Sequence, residues 1–286
     1  MKSREVTSHW DLIIRSKSSV FDLDFKSIWK YRDLIMLFVR RDFVANYKQT
    51  ILGPLWHFIQ PLITTGIYLL VFTKIAKIPT DGINSVLFYM SGITLWNYFS
   101  SCLTGTSNTF GSNAGIFGKV YFPRLVSPIS SIISNLMKFG IQFLMLVLMM
   151  ICFSVFKGEP FYLGLSWLLI IPLLIVMAVL GLGLGIIISS LTTKYRDFAV
   201  LIGFGVQLLM YATPVVYPLS FIADKSYKFL IVINPLTYLM EAFRFAIFHH
   251  GILSIYLIYS LGFTCVMLIM GLIMFNKVER TFMDTV

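Results

Sequence analysis

Six long segments of this chain contain almost no charged residues, and this pattern limits the possible folds more than any other feature. They cover residues 49–73, 82–118, 125–156, 160–193, 198–223 and 245–276, and Lys138 is the one Asp, Glu, Lys or Arg inside them. Each segment can form a helix of about 20 residues, which crosses roughly 30 Å of hydrocarbon at about 1.5 Å per residue. We therefore predict an all-α integral membrane protein with six transmembrane helices.

Composition and charge indicate a membrane protein with both termini in the cytoplasm. Apolar residues make up 57% of the chain and charged residues 13%, whereas soluble domains carry roughly 25% charged residues. With the amino terminus inside, sixteen of the 23 Lys and Arg residues fall in inner segments and six in outer ones, and Lys138 is left unassigned. This asymmetry follows the positive-inside rule. The net charge of +10 is therefore an orientation signal, and nucleic acid is not an expected partner.

The amino-terminal segment has the pattern of an amphipathic helix. Nothing in its first 48 residues has the apolar core and cleavage site of a signal peptide. Apolar residues recur near helical spacing at Phe25, Ile28, Trp29, Ile35, Phe38 and Val39. Basic residues largely fill the other face of this helix. This pattern predicts a helix that lies in the membrane interface and contacts membrane lipids. A cytosolic helix that packs on another subunit is the alternative. The predicted parts are a cytoplasmic segment 1–48, a transmembrane domain 49–276 and a cytoplasmic tail 277–286.

The outer segment before the last span contains a helix that is too charged to cross the membrane. It covers residues 236–250 and follows Asn234-Pro235. Glu241 and Arg244 are three residues apart, a spacing that lets them pair on a helix. We predict a re-entrant or outer-surface helix here rather than a seventh span.

The chain has no recognisable catalytic or nucleotide-binding motif. No Gly-x-x-x-x-Gly-Lys-[Ser/Thr] occurs, so the usual loop for ATP phosphates is missing. The glycines of 181–185 lie in an apolar helix and predict close helix packing. His249 and His250 face different directions on a helix, and the three cysteines have no metal or redox spacing. We expect no metal and no cofactor in this chain.

Aromatic side chains inside the spans are candidates for contact with sugars, because rings offer sugars a flat apolar surface with a polar handle. The candidates are Tyr68, Phe72, Trp96, Tyr98 and Phe99. Ordinary packing is the alternative for each of them. Lys138 has two interpretations as well: it extends to the inner interface, or it meets an anionic substrate.

Four parts of the chain resemble the permease subunits of ABC transporters that export bacterial surface polysaccharides. The first is Arg41-Asp42, residues 47–50, Leu52-Gly53, Trp56 and Gln60-Pro61. The others are Asn113-Ala114-Gly115 with residues 119–124, then Tyr195-Arg196-Asp197, and then Asn234-Pro235 with Glu241 and Arg244. They occur in the family's order and cover nearly the whole chain.

The resemblance implies a homodimer of this chain in the bacterial inner membrane, together with two copies of a separate ATP-binding cassette subunit. That partner would hold ATP and Mg²⁺. The implied substrate is a glycan linked to undecaprenyl pyrophosphate: O-antigen, capsular glycan or teichoic acid. The residues implied in contact with the ATP-binding subunit are Gly115, Lys119, Tyr121, Phe122, Arg124, Tyr195, Arg196 and Asp197.

Three basic residues beside the first span are candidates for the pyrophosphate site. Arg40, Arg41 and Lys48 are expected at headgroup level, where they could form charge-assisted hydrogen bonds to phosphate. Anchoring to anionic lipid is the alternative.

Two other functions remain as alternatives. An ABC permease for drugs or another lipid would share the helix count and the inner loops. A membrane-embedded glycan enzyme should carry paired carboxylates in its outer loops, whereas the outer loops here hold scattered ones: Asp81, Glu159, Asp224 and Glu241. The transport subunit is therefore our main expectation.

Overall fold

The described part of the chain is helical throughout. The structure is a computed structural model that describes residues 25–47, 52–117, 119–120, 122–161, 163–194, 197–251 and 253–285. Over these residues no strand occurs, which confirms the predicted all-α class. The α-helices are α1 Phe25–Lys30, α2 Arg32–Tyr47, α3 Trp56–Tyr68, α4 Ser85–Ser107, α5 Thr109–Phe117, α6 Val126–Lys157, α7 Ile170–Lys194, α8 Phe198–Tyr211, α9 Lys228–Val232, α10 Pro235–Phe248 and α11 Leu257–Thr285. A π-helical turn, Leu69–Ile75, continues α3, and short 3-10 helices cover Gly53–Leu55, Leu165–Leu169 and Leu219–Ile222.

Several helix ends follow from local chemistry. Asn84 caps α4, because its side-chain oxygen accepts a hydrogen bond from the Val86 N–H at 2.9 Å. Helix α6 stops at Gly158, whose φ of 68° is a left-handed conformation that glycine adopts without strain. Asn234 caps α10 in the same way as Asn84, and Pro235 occupies the first helical position, where no N–H is needed.

Four helical stretches of the described residues are long and apolar enough to cross a membrane: Trp56–Ile75, Val126–Lys157, Leu165–Thr192 and Leu257–Val278. Helix α4 has 23 residues, or about 35 Å at 1.5 Å per residue, but Ser, Thr and Asn lower its hydropathy. Helix α8 has 14 residues, which cover about 21 Å. The structure therefore confirms an integral membrane protein, while the count of six spans stays a prediction.

Glycines let α7 pack closely between α4 and α11. A Cβ at Gly185 would lie 2.8 Å from the Leu103 carbonyl oxygen, and one at Gly181 would lie 3.2 Å from the Leu103 nitrogen. On another face of α7, a Cβ at Gly183 would lie 2.8 Å from the Leu268 nitrogen. Side chains other than hydrogen would force these backbones apart. The predicted close-packing role of the glycine run is confirmed.

Buried side chains form two clusters. The large core joins α4, α6, α7 and α10 and includes Phe88, Phe99, Phe139 and Phe243. The small core joins α2, the α5 region and the ends of α7 and α11. Its members are Ile35, Phe38, Val39, Phe110, Phe117, Phe122, Val126, Ile186 and Phe275.

The amphipathic segment packs on the bundle of its own chain. Ile35, Phe38 and Val39 are buried in the small core, and Ser134 of α6 donates a hydrogen bond to the Val39 carbonyl at 3.5 Å. Trp29, expected on the same apolar face, is 73% exposed, because a turn at Tyr31 separates α1 from α2. The periodicity therefore does not continue from one helix to the next. Contact with membrane lipids stays a prediction for the exposed side.

Candidate functional site

Polar side chains line facing stripes on α4 and α6. Within each stripe the residues recur every three or four positions, which places them on one face of the helix. The α4 stripe consists of Asn97, Ser101, Thr104 and Asn108, and the α6 stripe of Ser131, Asn135, Lys138 and Gln142. The two stripes are joined at one end, where Asn97 Nδ2 donates a hydrogen bond to Gln142 Oε1 at 3.3 Å. A Cβ at Gly105 would meet the Ser131 hydroxyl, so the two helices lie close together at this point.

The stripes enclose two adjoining cavities, which we call the polar chamber. The larger cavity measures about 400 Å³ and is bordered by α2 through Asp42. The smaller one measures about 290 Å³ and is bordered by α3 through His57 and Gln60. Ser101, Asn135 and Lys138 line both cavities. Polar groups inside a membrane-spanning bundle are costly, so the polar chamber is the candidate functional site.

Lys138 is the central cation of the polar chamber. Its ammonium donates a hydrogen bond to Asn135 Oδ1 at 3.2 Å, so the side chain points back along α6. No carboxylate of the described residues lies within 4.0 Å of this ammonium. The ammonium therefore ends inside a polar cavity rather than against a buried counter-ion.

The predicted basic site beside the first span is only partly described. Arg40 and Arg41 are exposed on α2. Arg41 pairs with Asp42 at 2.8 Å and stacks on the Phe38 ring with 4.4 Å between Cζ and the ring centroid. Lys48 lies outside the described residues. A role for these residues in substrate binding stays a prediction. Arg41 would have to break its ion pair with Asp42 before it could bind a phosphate.

Three of the five candidate aromatic residues are buried in the large core. Trp96 is 5%, Tyr98 3% and Phe99 0% exposed. The rings of Trp96 and Phe99 lie 5.7 Å apart, and neither residue lines the polar chamber. Ordinary packing, the alternative given for each of the five candidates, therefore accounts for Trp96 and Phe99. Tyr98 is packed as well, but it borders the smaller cavity.

The other two aromatic candidates lie at the bundle surface. Tyr68 and Phe72 are half-buried on α3 and its π-helical continuation. Both rings contact Tyr89 of α4, at centroid distances of 6.2 and 6.3 Å. The Tyr89 hydroxyl shares a hydrogen bond of 3.0 Å with Thr73. Tyr68 and Phe72 therefore remain the accessible candidates for sugar contact.

The loop after α4, which the sequence predicts on the inner side, folds into a short helix that packs through aromatic residues. Phe117 of α5 and Phe122, in the chain after α5, are both buried. The centroids of their rings lie 5.5 Å apart. The Arg124 guanidinium lies 5.8 Å from the Phe117 ring centroid. Gly115 and Lys119 remain exposed beside this anchor. The loop therefore presents exposed residues beside buried aromatic rings, and its contact with an ATP-binding subunit stays a prediction.

The second predicted contact loop follows α7 at the same end of the bundle, because Ile186 near the end of α7 shares the small core with α5. Asp197 is exposed and precedes α8. Tyr121, Tyr195 and Arg196 lie outside the described residues. Within the described ranges, no three His, Cys, Asp or Glu side chains are grouped in a way that could hold a metal ion.

The opposite end of the bundle is closed by α10. Arg244 pairs with Glu241 at 3.4 Å, which confirms the pair predicted from the sequence. The same guanidinium donates to the Val215 carbonyl at 2.8 Å and lies 3.8 Å above the Phe88 ring. Burial raises the pKa of the Glu241 carboxyl, and the Arg244 charge acts in the opposite direction. These contacts attach α10 to α4 and to the chain after α8.

The family model of the ABC-2 type transporter matches residues 33–248 of this chain. The chain belongs to the ABC-2 type transporter family. The matched region begins in α2 and ends at Phe248, the last residue of α10. It contains the polar chamber, the inner loops and the buried Glu241–Arg244 pair of this ABC-2 transporter.

Relatives of this ABC-2 transporter are similar over most of their length. The O-antigen export system permease protein RfbA of Klebsiella pneumoniae is 32% identical over 257 residues, which cover 88% of this chain and 94% of the relative. RfbA of Myxococcus xanthus is 29% identical, covering 79% of this chain and 84% of the relative. The capsule polysaccharide export inner-membrane protein CtrC of Neisseria meningitidis serogroup B is 21% identical, covering 98% of each chain.

Most residues of the polar chamber in this ABC-2 transporter were not among the sequence-based candidates. Of its lining, Lys138 and Tyr98 were predicted as candidates for substrate contact, and Asp42 and Gln60 belong to the family resemblance. The signal was present, because Ser131, Asn135 and Gln142 follow helical spacing with Lys138. A search limited to charged and aromatic residues does not detect such a stripe.

Proposed function

We propose that this chain is the channel-forming permease subunit of an ATP-driven exporter that moves O-antigen polysaccharide across the inner membrane. The observation that carries the proposal is the similarity to RfbA of Klebsiella pneumoniae over 88% of this chain and 94% of that protein. A match over whole chains makes a shared role more credible than a match confined to one motif. The substrate would be linked to undecaprenyl pyrophosphate, and the chain would act as a homodimer with six spans per copy.

ATP hydrolysis would take place on a separate ATP-binding cassette subunit. The chain itself lacks the phosphate-binding loop motif, and the ABC-2 family match supports a transporter with an ATP-binding partner. In this proposal both termini are cytoplasmic, and α5 is the inner contact with the partner. Tyr68 and Phe72 would contact the glycan, because they are the accessible aromatic candidates.

Capsular polysaccharide is the second candidate substrate. The similarity to CtrC of Neisseria meningitidis supports it, since the alignment covers 98% of both chains. The identity of 21% is lower than that of the O-antigen permease, at 32%. O-antigen is therefore the first choice.

Loss of this permease is expected to remove one polysaccharide from the cell surface and to leave its lipid-linked form inside. The test is a chromosomal deletion, complemented with the wild-type gene, in which surface glycan and lipid-linked glycan are extracted and analysed chemically. Loss of a glycan attached to lipopolysaccharide would support O-antigen, and loss of capsule would support the second candidate. Unchanged surface glycans in the deletion strain would overturn the proposed function.

Cysteines on the α5 side are expected to cross-link to the ATP-binding subunit. Cys102, Cys152 and Cys265 are first replaced with serine. Gly115→Cys and Lys119→Cys are then treated, in the assembled complex, with a short reagent that joins a thiol to a lysine. We expect a product containing both subunits, detected by mass spectrometry, because both positions are exposed beside the aromatic anchor. Lys225→Cys on the opposite end is the matched control. Products of equal yield from the control would argue against docking at α5.

A further inference from the structure

We propose that the polar chamber binds the pyrophosphate that joins the lipid to the glycan, with Lys138 as the cation that holds it. This proposal rests on the proposed function, since it names the part of that substrate which the chamber recognises. It differs from the sequence-based expectation, which placed the pyrophosphate at Arg40, Arg41 and Lys48.

Charge favours Lys138 over Arg41 as the phosphate ligand. Lys138 is the one Lys or Arg in the lining of either cavity, and its one hydrogen bond is to the neutral oxygen of Asn135. Arg41 is held by Asp42 at 2.8 Å, so its charge is already compensated. Asp42 also borders the larger cavity, but its carboxylate is paired with Arg41. The lining of the smaller cavity includes no carboxylate among the described residues, so an anion that enters there meets an ammonium with no ion pair to break.

The chamber also supplies donors that the described part of the protein leaves unused. Ser101 on α4 and Ser131 on α6 line the larger cavity, and neither hydroxyl makes a hydrogen bond with the described residues. The Gln60 amide borders the smaller cavity, and the Asn97 amide, which donates one hydrogen bond to Gln142, keeps a second N–H there. A diphosphate has many acceptor oxygens, and charge-assisted hydrogen bonds to them are stronger than bonds between neutral groups. A metal cation is disfavoured at a site centred on an ammonium.

The depth of Lys138 matches the position of a lipid phosphate. The 18 residues from Phe139 to Phe156 cover about 27 Å at 1.5 Å per residue, close to the hydrocarbon thickness of roughly 30 Å. Lys138 therefore lies where hydrocarbon meets the headgroups at the inner side. Asn108, at the end of the α4 stripe, is exposed, which gives the larger cavity an opening. A phosphate could enter there while the lipid chain stays in the bilayer.

The test measures binding of undecaprenyl pyrophosphate, and separately of phosphatidylglycerol, to the purified complex with its ATP-binding subunit in detergent, by native mass spectrometry. Lys138→Gln should weaken binding of undecaprenyl pyrophosphate about tenfold, since it removes one charge-assisted hydrogen bond. Lys138→Arg keeps the charge and should bind within about threefold of the wild type. Ser131→Ala, on the same wall, should weaken binding by a smaller factor. Lys157→Gln, at the other end of α6, is the matched control and should bind like the wild type.

The possible outcomes distinguish a failure of the proposed binding site from a failure of the proposed function. Equal binding by Lys138→Gln and the wild type overturns the site, while export of the glycan by the wild type still supports the function. An equal loss of phosphatidylglycerol binding in Lys138→Gln assigns the chamber to phospholipid phosphate and overturns the assignment to the carrier. A wild-type complex that binds no undecaprenyl pyrophosphate overturns both the site and the lipid-linked substrate. Size-exclusion profiles show that each variant is assembled, and rescue by Lys138→Arg separates charge from packing.

Discussion

Replacing Gly185 with leucine is expected to destabilise the folded protein strongly. A Cβ at this position would lie 2.6 Å from Thr106 Cβ and 2.8 Å from the Leu103 carbonyl oxygen. The oxygen belongs to the backbone of α4, so it cannot move unless α4 and α7 separate. Overpacking of this kind costs about 1–3 kcal/mol or more, and leucine adds three carbons beyond Cβ. A loss of about 3 kcal/mol would lower the Tm by roughly 6–12 °C.

The measurement is the Tm of the detergent-purified protein, followed by fluorescence-detected size-exclusion chromatography, together with the amount recovered from membranes. Gly271→Leu should behave similarly, because a Cβ there would lie 2.7 Å from the Gly183 carbonyl oxygen. Gly262→Leu is the control on the same helix, α11, since a Cβ at Gly262 has no atom within 4 Å. Equal loss in the control and in the two packing variants would show that close helix approach does not explain these glycines.

The glycine run shows how far the sequence can predict packing. Its spacing inside an apolar segment predicts that α7 approaches other helices closely, and the structure confirms this. It does not predict the partners, because α4 and α11 are distant in sequence and many apolar faces could fit. Gly181 and Gly185 contact α4 while Gly183 contacts α11, and this depends on how the helices are arranged in the bundle.

The aromatic residues show where prediction from composition stops. Trp96 and Tyr68 both lie in apolar segments, yet Trp96 is buried in the large core and Tyr68 is half-buried on α3. Outside their polar stripes, α4 and its neighbours carry apolar residues on several faces, so periodicity cannot distinguish a lipid-facing ring from a packed one. The orientation of α4 follows from its contacts with α6 and α7, which are decided by the whole bundle.

The polar chamber can be predicted in part from the sequence. The stripe that contains Asn135, Lys138 and Gln142 can be recognised from helical spacing in one segment, and the stripe of Asn97, Ser101 and Thr104 in another. Each stripe alone predicts a face that avoids lipid. Tertiary packing brings the two faces together and places Asp42 of α2 at the border of the cavity. The sequence does not predict either contact.

Removing either member of the Glu241–Arg244 pair is expected to destabilise strongly the end of the bundle that carries α10. Both side chains are buried, at 6% and 2% exposed. Breaking a buried ion pair from one side typically costs about 3–5 kcal/mol, because the remaining charge has no partner. Arg244→Met should have the larger effect, since it also removes the hydrogen bond to the Val215 carbonyl and the contact with the Phe88 ring.

A double-mutant cycle separates the pair from the rest of the packing. Glu241→Leu with Arg244→Met replaces two charges by apolar groups of similar size, and such a replacement of a buried pair is often nearly neutral. The Tm of the double variant should therefore exceed the value obtained by adding the two single losses. Limited proteolysis of the segment 217–251 reports the same effect locally, because α10 attaches this segment to the bundle.

The exposed pair of Arg32 and Asp33 serves as the control for this cycle. Its atoms are 3.9 Å apart, and the side chains are 60% and 91% exposed. Exposed pairs contribute about 0–1 kcal/mol, so Asp33→Ala should leave both the Tm and the proteolysis pattern unchanged. Strictly additive losses at Glu241 and Arg244 would mean that the two charges do not stabilise each other. The cost would then come from packing alone, and Arg244 would hold α10 through Val215 and Phe88 rather than through Glu241.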